Sequence, residues 1–179
     1  MSDIVRAFLD SMLIENPVVM SFIAALLVAV LPRSARSSFG PALRFSLVFF
    51  GAALIGATVV TNVPAPFAPA VYLIVGLAAV GALYAAGELR EQWMGMPQAV
   101  IALAPMIGVQ MLVAESGELS IMLAASAGNS LGLAVMFIVI GSIRESSRMS
   151  ETTDTFKTYP VVLFSMAVFA VILSGFLFW

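Results

Sequence analysis

The chain contains no cysteine and no histidine. Without thiolates it can form no disulfide and hold no thiolate-bound zinc or iron–sulfur cluster of its own; without imidazole the usual ligation of haem, zinc and copper is closed to it as well. No metal and no cofactor is therefore expected on this chain. Charge is also scarce: Asp, Glu, Lys and Arg make up 10% of the 179 residues, and the formal net charge is −2. So small an imbalance says nothing about partners, and with no basic patch there is no support for nucleic-acid binding. What remains is apolar. The chain is 61% hydrophobic with a mean hydropathy of +1.08, a composition that soluble globular domains do not have. It is that of an integral membrane protein, whose first partner is the lipid bilayer.

A helix needs about 20 apolar residues to cross a bilayer. Six runs meet that need, over residues 12–31, 45–61, 70–87, 94–114, 119–143 and 158–179. The expected fold is all-α, with six transmembrane helices in a single membrane domain covering 1–179. The connections are short: a basic segment at 33–44, a proline-rich turn at 62–69, a charged exit at 88–93 before the fourth run, an acidic turn at 115–118 and a hydrophilic loop at 144–157. Asp3 and Asp10 stand where a secretory leader would be basic, so no cleavable signal peptide is expected.

Two of the runs carry interruptions. The uncharged run 94–114 holds Pro105 and Gly108 near its middle and Gln110 just beyond. A proline there removes a backbone donor and crowds the carbonyl one turn back, so the helix is expected to kink or split. The run 12–31 contains Glu15-Asn16-Pro17 and is followed by Pro32. Freed backbone groups cost several kcal/mol each in hydrocarbon unless protein, water or an ion meets them. Two broken helices in matching places predict a pair of repeats, 3–87 and 88–179, with helices 1 and 4 interrupted at mid-membrane and facing a shared cavity. Of the eight basic residues, only Arg6 lies on one side. Arg33, Arg36, Arg44, Arg90, Arg144, Arg148 and Lys157 fall in the connections after runs one, three and five. Those connections are expected to be cytoplasmic and both termini extracytoplasmic. Three spans per half then require that the halves insert in opposite senses, as inverted repeats.

The candidate ion or solute path consists of Glu15, Asn16, Pro17, Pro105, Gly108 and Gln110. An acid facing lipid costs about 2.5–3.5 kcal/mol on insertion scales, so Glu15 should face protein or water. It reads either as a proton or cation site with Asn16 and the open carbonyls around Pro17, or as an interfacial helix cap. Ser126, Gly128, Asn129, Ser130 and Gly132 form a small, polar patch with a GxxxG spacing, which points to close helix packing. The methionines Met94, Met96, Met106, Met111, Met122 and Met136 are adaptable packing, because no cysteine or histidine accompanies them as in a copper path.

At this point the residues resemble a family. Ile14-Glu15-Asn16-Pro17-Val18-Val19, Glu88, Ala104-Pro105-Met106-Ile107-Gly108-Val109-Gln110-Met111 and Ile143-Arg144-Glu145 are similar, in order and spacing, to the membrane subunits of the Rnf electron-transfer complex and of the sodium-translocating NADH:quinone oxidoreductase. The resemblance implies six helices in inverted repeats with split first and fourth helices, and an iron–sulfur cluster shared between two paired subunits. It also implies that the positions of the two cluster cysteines are occupied here by Leu26 and Met111, which cannot replace them. The termini-outside orientation matches the A-type Rnf and E-type Nqr subunits. The expected role is a non-redox subunit of a bacterial inner-membrane assembly, paired with a sister chain or a second copy and in contact with redox subunits. The alternative is a free-standing small-solute or cation transporter or channel of inverted-repeat architecture. Purified alone and reduced, the chain should be colourless and give no paramagnetic iron signal; a stoichiometric cluster would contradict the ligand argument.

Overall fold

The computed structural model describes residues 3–18, 21–31, 35–149 and 159–175. Helix α1 (Asp3–Leu9) runs directly into one turn of π-helix, Asp10–Ile14. After a non-helical stretch the chain forms α2 (Ala25–Val30) and α3 (Ala35–Val60). A 3-10 turn at Ala65–Phe67 leads into α4 (Ala68–Ala85). Two short strands, β1 (Gln92–Trp93) and β2 (Met96–Pro97), pair antiparallel. Then come α5 (Gln98–Ala114), α6 (Leu119–Met149) and α7 (Tyr159–Ser174).

Among the described residues the architecture is all-α apart from that hairpin. Three helical stretches, Ser37–Val60, Ala65–Ala85 and Leu119–Ser147, are long and apolar enough to cross a membrane, while α5 and Pro160–Ser174 are apolar but shorter. The 17 residues of α5 rise about 25 Å, somewhat less than the ~30 Å hydrocarbon core of a bilayer. Helices α4 and α7 have no polar face, yet Leu73, Ile74 and Leu77 on one and Leu163, Phe164 and Val171 on the other stay exposed. Apolar helices left uncovered in this way suit lipid as surroundings, and the arrangement suits a multi-pass membrane protein.

Helices α3 and α6 cross at the centre. Helix α1 and its π turn lie on α6; α4 and α5 lie on α3 and on each other; α2 touches α5, α6 and α7. The central contact is made by Phe45 on Phe137, stacked with ring centroids 5.4 Å apart. Beside it, Ser46 Oγ donates to the Ser130 carbonyl at 2.9 Å.

Several sequence expectations are corrected here. The run around Pro105 is not split: α5 continues unbroken through it. Proline removes the donor that the Ile101 carbonyl would meet, but Ala102, Pro105, Met106 and Val109 are all buried, and packing against α3 and α4 outweighs one lost bond. Arg36–Arg44 is not a connection, because α3 already starts at Ala35 and carries Pro41 inside it. The reason is a stripe at helical spacing, Ser38, Ala42, Phe45, Phe49, Ala52 and Ala53, all buried; burying that stripe overrides the local breaker signals of Gly40 and Pro41. The fourth run starts at Gln98, not at 94, since Met94 (φ 49°) and Gly95 (φ 82°) form the tight turn of the hairpin. Residues 144–149 extend α6 rather than opening a loop. Pro32, Arg33, Lys157 and Trp179 lie outside the described residues.

Phe45→Ala should lower stability by about 3 kcal/mol. A double-mutant cycle with Phe137→Ala should return a coupling of about 1 kcal/mol, read from reversible unfolding in mixed micelles.

Candidate functional site

The run 12–31 is broken where its proline stands. Helix ends at Ile14 and resumes at Ala25. The π turn comes first. In a π turn the bonds reach five residues back, and the Glu15 amide donates to the Asp10 carbonyl at 2.7 Å. One extra residue per turn therefore sets Glu15 over Asp10, as an i+4 residue would stand in an α-helix; Asp10 in turn lies 3.5 Å from Arg6 Nε. The outcome is a polar stripe of Asp3, Arg6, Asp10 and Glu15 along α1, with Glu15 exposed at its inner end.

Asn16 organises the turn-out that follows. Its Oδ1 accepts from the Val18 amide at 2.9 Å, and its Nδ2 donates to the Met12 carbonyl at 2.9 Å. Its carboxamide thus replaces two of the backbone partners that the broken helix gives up. The remaining chain closes on itself through Ser21 N to Asn16 O at 3.3 Å and Ala24 N to Pro17 O at 2.8 Å. Pro17 and Val18 are buried. Phe22 is held at φ 55°, a left-handed conformation costing a bulky residue about 1 kcal/mol or more. Ser21 Oγ is buried without a partner.

Glycines on α6 make room for this break. A Cβ on Gly132 would meet Asn16 Nδ2 at 2.7 Å and the Met12 carbonyl at 2.9 Å. A Cβ on Gly128 would collide with the Phe8 carbonyl oxygen. Close backbone approach therefore requires both glycines. Gly132 lies about 20 Å along α6 from Leu119 at 1.5 Å per residue, so Glu15 stands near the middle of the longest helix.

The structure separates the other candidates from this place. Gly108 faces the break, but the notch it leaves is filled: a Cβ there would lie 2.5 Å from Ile23 Cγ2. Ile23 packing occupies the space where the sequence suggested a shared cavity. Gln110 points elsewhere, into the junction of α3, α4 and α5. It donates to the Met106 carbonyl at 2.6 Å and the Tyr72 carbonyl at 3.2 Å, leaving Oε1 unpartnered. A Cβ on Gly56 would collide with its carboxamide. Ser126 and Ser130 donate one turn back, to the Met122 and Ser126 carbonyls at 2.7 and 2.6 Å, while Asn129 is buried with Oδ1 unpartnered. Leu26 and Met111 face outward, 46% and 51% exposed.

Sequence reasoning missed two contacts that fix the opposite end of the molecule. Arg144 Nη1 donates to the Ala29 and Val30 carbonyls at 3.1 and 3.3 Å, capping the short α2 where its carbonyls run out. Arg44 Nη1 meets Glu88 Oε1 at 2.6 Å, tying the start of α3 to the exit of α4. The only signal for either was an arginine or a glutamate at the end of an apolar run. No protein-family model matches the chain, and no curated protein is significantly similar to it.

Asn16→Ala should destabilise the protein by about 2 kcal/mol through the two hydrogen bonds it removes. Gly132→Val presses on the same carboxamide, so the double variant should cost clearly less than the sum, as sites in contact do; additive costs in micellar unfolding would contradict the coupling.

Proposed function

We propose that this chain is a six-span inverted-repeat membrane subunit related to the Rnf and sodium-translocating NADH:quinone oxidoreductase membrane subunits. In this reading it carries no redox centre, pairs with a sister chain or a second copy in the inner membrane with both termini outside, and contributes scaffold and an ion path at Glu15 to a larger assembly. The break at Glu15-Asn16-Pro17 carries the reading.

Its support is a matched pair of carboxamides. Asn16 closes the helical run that begins at Asp3 and nests against Gly132 of α6; Gln110 lies near the end of α5 and nests against Gly56 of α3. Each donates to the carbonyl four residues back. First span on fifth and fourth span on second is the exchange that a twofold axis in the membrane plane would produce, with α3 and α6 as its self-paired centre. The charge bias is in keeping with the contacts there: Arg44 pairs with Glu88, and Arg144 caps the end of α2. Of the two runs expected to break, the first does and α5 does not, so the path is assigned to Glu15 and Asn16 alone and not to a cavity between two breaks.

A carboxylate exposed midway along the longest helix cannot remain against lipid without cost, and a neighbouring chain or a water-filled path removes that cost. Leu26 on α2 and Met111 on α5, both exposed, also leave surface open to a neighbouring chain. The exposed Glu15 also favours the second reading, a free-standing cation transporter or channel, in which the stripe Asp3, Arg6, Asp10 and Glu15 leads inward from one surface.

Extraction in mild detergent separates the two. A second membrane chain, or a second copy, that stays bound through purification is expected; a lone chain that catalyses flux would favour the transporter. In proteoliposomes containing the purified particle, Glu15→Gln should abolish cation flux while Gln110→Ala leaves it intact, and equal flux in wild type and Glu15→Gln would remove Glu15 from the path.

A further inference from the structure

At the end of the bundle where α2 stops, α3 starts, α4 stops and α5 starts, the chain encloses a cleft of about 220 Å³. Leu31 and Pro41 give it apolar walls, and Ser38, Glu88, Glu91 and Gln98 are among its polar lining. Two of these polar side chains are buried, and one of them has nothing to bond. Ser38 is 3% exposed and its Oγ has no hydrogen-bond partner. Gln98, 5% exposed, lines the same cleft with its carboxamide. Unpaired polar groups inside a protein are uncommon, and each calls for an explanation such as a ligand.

The chemistry of the walls selects the ligand. Glu88 is largely buried, its side chain 13% exposed, and it already accepts from the Arg44 guanidinium through Oε1 at 2.6 Å. That contact anchors the carboxylate at the rim and shows the kind of donor it takes. The exposed Glu91 gives the cleft a second carboxylate, and the Ser38 hydroxyl and Gln98 carboxamide, each able to accept as well as donate, line it beside them. With Glu88 paired to Arg44, Glu91 leaves these side chains with a net negative charge, which disfavours anions, and an apolar solute would leave Ser38 unpartnered. A liquid water occupies roughly 30 Å³, so the cleft has room for a solute of several heavy atoms.

We propose that this cleft is a binding site for a small organic cation carrying N–H donors, a guanidinium or primary ammonium group, held by Glu88 and Glu91 through charge and by Ser38 and Gln98 through hydrogen bonds. The site is separate from Glu15 and independent of any kinship of the chain.

The test is equilibrium binding of radiolabelled methylguanidinium to the full-length chain in detergent. Saturable binding is expected, displaced by ethylammonium but not by tetramethylammonium, which has the charge and no donor. Gln98→Leu should weaken binding about tenfold, the loss expected for a hydrogen bond to a charged group. Ser38→Ala removes one unpartnered oxygen, so it should keep the fold and also bind more weakly. N-acetylarginine amide distinguishes the source of the cation: tighter binding than methylguanidinium assigns the cleft to an arginine side chain of another protein, and weaker binding assigns it to a free solute, both within the proposal. It is overturned by no saturable binding to the folded chain, by equal displacement with tetramethylammonium, or by unchanged affinity in both folded variants.

Discussion

The constraint on which the rest depends is that a helix broken within the bundle must find other partners for its backbone. In the first span that task falls to one carboxamide. Asn16 takes the Val18 amide and gives to the Met12 carbonyl, and the stretch that follows folds back on itself through two more backbone bonds. This solution needs the chain to come very close to α6, which is why glycine stands at 128 and 132. The GxxxG spacing therefore serves one particular neighbour, the π turn and the break after it. The same closeness sets Glu15 outward, because the face that carries Ser11 and Asn16 is buried on α6.

The second half of the chain handles its own polar insertion differently. Gln110 also bonds one turn back, but α5 stays helical, so the carboxamide is free to reach the Tyr72 carbonyl and join α4 to α5. Proline alone does not decide between the two outcomes. Pro105 is flanked by residues that bury at helical spacing, whereas Pro17 follows an asparagine able to form a competing local turn. Asn-Pro is a stronger break signal than Ala-Pro for that reason.

Much of this was legible in the sequence. The all-α class, the apolar runs and the break at Pro17 followed from composition, length and one tripeptide. The close-packing role read into Gly128 and Gly132 followed from spacing, and the glycines now have named neighbours. What failed did so where local signals competed with burial. The polar, basic segment 33–44 read as a connection, yet the stripe from Ser38 to Ala53 continues the helix through Gly40 and Pro41. Pro105 read as a break because proline removes a backbone donor, and burial overrode it in the same way. The π turn was not legible at all, because nothing in Asp10–Ile14 distinguishes five-residue from four-residue bonding until α6 is in place. The contacts at the other end, Arg144 on α2 and Arg44 on Glu88, join residues far apart in sequence and carry no periodic signature.

The proposed account rests on two halves that enter the membrane in opposite senses, and a chain without cysteine allows this to be measured directly. Single cysteines introduced as Asp3→Cys, Asn62→Cys, Ser116→Cys, Gln92→Cys and Met149→Cys can be labelled in intact cells with a maleimide that does not cross membranes. The account predicts labelling from outside at 3, 62 and 116, and labelling at 92 and 149 only after permeabilisation. Positions 3 and 92 labelled from the same side would contradict it, because the two halves would then run in the same sense.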